Sequence, residues 1–293
     1  MTVSFRLEGV FSVLPTAFHD DGGLDLAGVA ALVRAARDEE VAGLTALGVM
    51  GEAAELSGPE RLEVLACIAD TAGTLPIVVG VTGDHAVEVT GRARDADRAG
   101  AAAVMVSPTR SLGLDAAVGA AAAANLPIVV QDYPPASGVT MTANEIASVA
   151  ASHPLVVGVK AEAPPTSATI ASLRQTNPRL GLLGGLGGLF LIDELRAGAG
   201  GVMTGFALPE RLVSIVRTYA TDPEAATQAW LRLLPLMRLE AFPPYSLAAR
   251  KEVWRLRGVI ASAHCRRAGA NLDDGARDDV RRALARVETS LSR

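Results

Sequence analysis

The sequence predicts an α/β fold, a (β/α)8 TIM barrel followed by a C-terminal helical extension. Three observations carry this: eight short β-rich apolar runs, helical stretches between them, and run starts roughly 20 to 35 residues apart, about one βα unit. The runs fall at 10–14, 43–47, 77–81, 103–106, 128–131, 156–160, 180–183 and 201–204. Most are continuous rather than alternating, as expected of strands buried on both faces of a parallel sheet. A chain of 293 residues suits such a barrel, which typically needs about 250. We assign residues 1–223 to the barrel and 224–293 to the helical extension.

The elements follow in order. The first run, Val10 to Leu14, is closed by Pro15 and is too short for a membrane span. The second runs into Gly48-Val49-Met50-Gly51-Glu52-Ala53, where two glycines let the backbone approach a ligand and its N–H groups suit a carboxylate; a plain tight turn is the alternative. Ser57-Gly58-Pro59-Glu60 is a capping box with proline in the first turn, and it opens a helix over 61–72. Further helices are predicted at 85–99, 116–124 and 144–151. The fifth run ends in Gln131-Asp132-Tyr133, whose first and third residues share a strand face. The seventh enters Gly184-Gly185-Leu186-Gly187-Gly188, which is no dinucleotide fingerprint because Phe190 stands at the third glycine. The eighth ends in Met203-Thr204-Gly205, so Gly185 and Thr204 are both mouth positions that suit substrate contact. Beyond residue 223 the pattern is largely helical, with breaks expected at Pro235, Pro243-Pro244 and Gly258.

Composition narrows the function. Apolar residues make up 49% and charged residues 20%, enough for a large core. A net charge of −5 with no basic run argues against a nucleic-acid surface. Two cysteines, Cys67 and Cys265, without CxxC spacing suit a reducing compartment, so a soluble cytoplasmic protein is expected. Four scattered histidines give no metal-site pattern.

Among 27 basic residues only two are lysines, Lys160 and Lys251. Guanidinium stays charged, whereas a desolvated amine can lose its proton and attack a carbonyl. Lys251 lies in the charged helical stretch Ala249-Arg250-Lys251-Glu252 and is expected to be solvated. Lys160 ends the run Leu155-Val156-Val157-Gly158-Val159-Lys160, at the strand end that faces a barrel's active-site mouth. Imine chemistry there competes with a lysine that merely snorkels or pairs with a carboxylate. Glu162, two residues on, shares its face and suits either proton transfer or a simple ion pair.

Pro15-Thr16, Gly48-Val49-Met50-Gly51-Glu52 and Gly158-Val159-Lys160, on the expected strands in the expected order, resemble the dihydrodipicolinate synthase and N-acetylneuraminate lyase family over nearly the whole chain. The resemblance implies a Schiff base between Lys160 and a 2-oxo acid such as pyruvate, with no other cofactor and no metal. It also implies a homo-oligomer, a tetramer or dimer. Departures are visible. Val49 and Met50 replace the family's hydroxyl pair, Gln131 stands for its fifth-strand tyrosine and Ala136 for an arginine. The tyrosine after the fourth strand is missing from Ser107-Pro108-Thr109-Arg110. Val130-Gln131-Asp132, Lys160-x-Glu162-x-Pro164 and Gly201-x-Met203-Thr204-Gly205 are similar to the branch containing 2-keto-3-deoxy-L-arabonate dehydratase, as is Gly258-Val259-Ile260-Ala261-Ser262.

The expected reaction is a lyase step on a 2-oxo acid, most simply dehydration of a 2-keto-3-deoxy sugar acid. Glu162, Tyr133 or Gln131 would serve the proton transfers, and the Val49–Glu52 turn, through the Gly51 and Glu52 N–H groups, would hold the carboxylate. Retro-aldol or condensation chemistry shares the same imine, and a catalytically silent 2-oxo acid-binding barrel is the reading from another class.

Overall fold

A computed structural model describes residues 5–241 and 245–291. Eight parallel strands, β1 (Gly9–Val13), β2 (Gly43–Ala46), β3 (Ile77–Gly80), β4 (Ala103–Val106), β5 (Ile128–Asp132), β6 (Val156–Ala161), β7 (Gly181–Gly184) and β8 (Gly201–Thr204), form a closed barrel in chain order. Closure comes from pairing of β1 with β8, Val10 opposite Val202. Because successive side chains face opposite ways, each strand serves two cores. One set, including Phe11, Val78, Met105, Val129, Leu183 and Met203, fills the barrel. The other, including Val10, Leu44, Val104, Ile128, Val159 and Val202, packs under the surrounding helices.

The barrel floor is plugged by Leu7. A β-carbon at Gly158 would lie 2.5 Å from Leu7 Cδ2 and 2.6 Å from the Gly181 carbonyl oxygen, so glycine there lets β6 and β7 close on the plug. Lys160 stands two residues above Gly158 on the same face, over apolar side chains.

The capping box at Ser57 is present, with the Ser57 side chain accepting from the Glu60 N–H and the Glu60 carboxylate accepting from the Ser57 N–H. The helix it starts spans Gly58–Ala72. The C-terminal helices are Pro223–Ala241, Ser246–Leu256 and Asp274–Leu291. The break expected at Pro235 does not occur. The helix continues through it, and Leu233, Leu236 and Met237 are buried around the proline. Their burial offsets a cost of about 3 kcal/mol for an interior proline. Gly258 does end a helix, at φ +74°. The break expected at Pro243-Pro244 lies outside the described residues.

The other clear departure is Lys251. Lys251, expected to be solvated, is buried together with its neighbours Arg250 and Glu252, with Lys251 and Glu252 at 0% exposure. Each charge meets a partner brought in by the fold. Arg250 lies 3.5 Å from Glu240, Lys251 lies 2.5 Å from Glu52, and Glu252 binds Arg255 and Arg277. Among the described residues no helix is long and apolar enough to cross a membrane.

Candidate active site

The C-terminal ends of the strands surround a cleft of about 510 Å³, counting its open mouth. Lys160 and Glu162 rise from β6, Gln131 and Tyr133 from the end of β5, and Thr204 from β8. The β5–β6 register sets Gln131 directly opposite Lys160. Lys160 is only 5% exposed, so its amine faces the cleft rather than bulk water.

Glu162 is the hub. Its Oε2 lies 3.0 Å from Lys160 Nζ and accepts a hydrogen bond from Gln131 Nε2 at 2.7 Å. Its Oε1 accepts from the Leu186 N–H at 3.3 Å. Three donors thus hold a buried carboxylate against the amine, which is the satisfied arrangement that burial demands. The ladder carries Glu162 there, because its N–H still donates to the Asp132 carbonyl at 2.9 Å beyond the end of β6. The residue that replaces the expected fifth-strand tyrosine, Gln131, therefore orients the carboxylate and leaves Lys160 facing Glu162.

The glycine run after β7 packs against Glu162. Gly185 is absent from the cleft lining, which Leu186 and Gly187 supply instead. A β-carbon at Gly185 would sit 2.3 Å from Glu162 Oε1, so glycine makes room for that carboxylate. The second-strand turn divides between the cleft and its own hydrogen bonds. Val49 and Met50 line the cleft, but Gly51 and Glu52 do not. Their N–H groups are spent within the turn, Gly51 donating to Gly48 at 3.0 Å and Glu52 to Val49 at 3.2 Å. Thr16 Oγ1 donates to the Gly51 carbonyl at 2.6 Å and clamps the turn from the end of β1. Glu52 adopts φ +49° and points away from the cleft into a buried contact with Lys251.

Tyr133 is half-buried and caps the short helix Pro134–Ser137. Burial, and secondarily the charge of Glu162, raises its phenol pKa, which keeps the hydroxyl protonated and able to donate. Two further carboxyls stand behind the strand ends. Burial, then the nearby Glu162 charge, raises Asp132 to about 6. Glu194, beside Gly184, is raised to about 8, chiefly by burial.

The sign of the Glu194 effect follows. Below about pH 4.5 both folded and unfolded states hold its proton, but from there to about 8 only the unfolded state loses it. Folding stability therefore declines across that window. Glu194→Gln is expected to flatten this decline, giving a higher melting temperature than the parent at pH 8 and little difference at pH 4. An unchanged pH dependence would remove the buried neutral acid.

Arg250 was not singled out by sequence reasoning. It lines the same cleft although it comes from the C-terminal helix Ser246–Leu256, with Ala241 and Ser246 beside it. In a chain rich in arginine no local signal marks it. Among the described residues there is no group of three or more His, Cys, Asp or Glu side chains placed to hold a metal ion.

Residues 6–287 match the Dihydrodipicolinate synthetase family. The chain is 30% identical to the L-2-keto-3-deoxyarabonate dehydratase of Azospirillum brasilense, with 98% of this chain and 97% of that protein covered. It is 28% identical to the 4-hydroxy-tetrahydrodipicolinate synthase of Haloarcula marismortui, covering 96% and 94%. The crystal structure of dihydrodipicolinate synthase from Rhodopseudomonas palustris superposes with a TM-score of 0.91 at 33% identity, covering 97% of this chain and all of that one. The eight-stranded barrel, the buried β6 lysine and the full-length match agree: this chain belongs to the dihydrodipicolinate synthetase family of lyases.

Proposed function

We propose that this protein dehydrates a 2-keto-3-deoxy sugar acid through a Schiff base on Lys160. One observation carries the reading: a buried amine faces a cleft with a three-donor-bound carboxylate 3.0 Å away. The Lys160 amine attacks the C2 carbonyl, and loss of water leaves a protonated imine. That imine is an electron sink, so a base can remove a C3 proton to give an enamine. The enamine electrons expel the C4 hydroxyl, which takes up a proton and leaves as water. Tautomerisation and hydrolysis free the product and regenerate the amine, so the net change is loss of one water.

Glu162 is the group placed to take the C3 proton and return it to the leaving hydroxyl, with Tyr133 as a neutral donor at the cleft. Gln131 holds the Glu162 carboxylate in position. Val49, Met50 and Thr204 line the remaining walls. The near full-length similarity to a protein named as L-2-keto-3-deoxyarabonate dehydratase supports water loss over carbon–carbon cleavage. We further propose that the enzyme works in the cytoplasm as a homo-oligomer.

A panel of 2-keto-3-deoxy acids, assayed in parallel for dehydrated product and for released pyruvate, tests the reaction type. Water loss without pyruvate is expected. Pyruvate release at the faster rate would instead make the protein an aldolase.

A further inference from the structure

Two carboxyl groups stand on opposite faces of one dipeptide at the end of β7. Leu183 fills the barrel, so alternation turns Gly184 outward under the helices and Gly185 inward. A β-carbon at Gly184 would lie 1.7 Å from Glu194 Oε2, and one at Gly185 would lie 2.3 Å from Glu162 Oε1. Each glycine thus gives its side-chain space to a carboxyl from another element. Glu162 follows β6 directly, and Glu194 comes from the helix Leu191–Arg196. The strand backbone lies between them, and it screens charge far less than water does.

Glu194 is 0% exposed, and among the described residues neither of its carboxyl oxygens has a hydrogen-bond partner. The Thr166 hydroxyl stands near it without meeting hydrogen-bond geometry. A carboxyl buried in this way keeps its proton through neutral pH, burial being the main cause. The charged and titratable groups around the two acids come from several elements. Lys160, Asp132, Tyr133 and Arg250 surround Glu162, whereas Asp193 and Glu162 itself act on Glu194. Asp193 is paired with Arg196 at 3.0 Å. While Glu194 is neutral, the Lys160 ammonium faces the Glu162 charge at 3.0 Å with no second anion behind β7. Ionised Glu194 would add that anion and hold the ammonium proton more firmly, and a protonated amine does not attack a carbonyl.

We propose that Glu194 is a positioning residue for the reaction: acting across the Gly184–Gly185 peptide, its neutral carboxyl limits the negative charge beside Lys160 and lets the amine release its proton to form the imine. This rests on the reading of Lys160 as the imine-forming residue. The two adjacent glycines are then the device that brings a second acid within a strand's width of the cleft without opening it to water.

The chain has only two lysines, so protein carrying a heavy carbon isotope at lysine Cε gives two NMR signals, assigned with Lys160→Arg. As the pH rises, the Lys160 signal of the parent is expected to show a step near pH 8, where Glu194 loses its proton. Glu194→Gln should lack that step. Glu162→Gln should move it to lower pH, because the Glu162 charge is one cause of the raised proton affinity of Glu194. This reciprocal variant decides the matter if Glu194→Gln does not fold. A missing step in the parent, a step that persists in Glu194→Gln, or one that stays in place in Glu162→Gln would overturn the proposal. Cyanoborohydride trapping of pyruvate on Lys160 gives the functional readout. The ratio of imine-formation rates, Glu194→Gln over parent, is expected to climb on the order of 5-fold from about pH 6.5 to about pH 9.5. A ratio that stays constant across pH, as a packing defect produces, would also overturn it. If the parent traps no pyruvate, the Schiff-base reading fails by itself, and the NMR step alone decides whether Glu194 acts on Lys160.

Discussion

Replacing Lys160 with alanine is expected to lower turnover by roughly 10⁴-fold or more, because no other group in the cleft can carry the substrate as an imine. Lys251 is no substitute, since it is fully buried against Glu52 and lies outside the cleft lining. The fold should survive. With Lys160 gone, the Glu162 carboxylate still accepts from Gln131 Nε2 and the Leu186 N–H, so it is not left bare. Borohydride reduction in the presence of pyruvate, followed by peptide mass spectrometry, should place the adduct on Lys160 in the parent and nowhere in the variant. Lys160→Arg should be equally inactive, since guanidinium keeps its proton and forms no imine. Measurable turnover by either variant would end the mechanism.

Lys251→Met is expected to cost about 3–5 kcal/mol of folding stability, the usual result of stranding one member of a buried ion pair. Lys251 Nζ donates to Glu52 Oε1 at 2.5 Å and to the His264 carbonyl at 2.8 Å, and it sits 4.5 Å from the Phe18 ring centroid. Without it, the buried Glu52 carboxylate keeps, among the described residues, the Arg267 N–H at 3.1 Å. Urea unfolding should show the loss as a lower midpoint. The double variant Lys251→Met/Glu52→Leu should regain much of it, because an apolar pair of similar volume removes both charges. A single variant as stable as the parent would show that the pair is solvated. The same contact ties the 48–52 turn to the C-terminal helices, so Lys251→Met should also slow turnover at saturating substrate by disturbing Val49 and Met50.

These two lysines show which features were legible and which were not. Lys160 was readable because its signal is local: a continuous apolar run, a strand end and a carboxylate two residues on. Glu162 followed from strand periodicity, and the hydrogen bond from its N–H to Asp132 carries it where alternation demands. Lys251 was misread because its sequence neighbours are charged, whereas its environment is made by Glu52 and Phe18 from distant parts of the chain and by the His264 carbonyl beyond its own helix. Gly185 stands against Glu162, a neighbour that only the folded chain brings to it. The Gly51 and Glu52 N–H groups are engaged within their own turn, which residue spacing alone does not reveal.

The barrel, its strands and the amine at the β6 end are all written in local residue patterns. These depend on residue patterns repeated within single βα units, and hydrophobic periodicity reports them directly. Which charges are buried together and which side chains share the cleft, Arg250 among them, emerges when the chain folds. The physical reason is range. Buried Lys251 is stabilised by a carboxylate 199 residues away in the chain, and nothing in its immediate neighbours encodes where that partner will be.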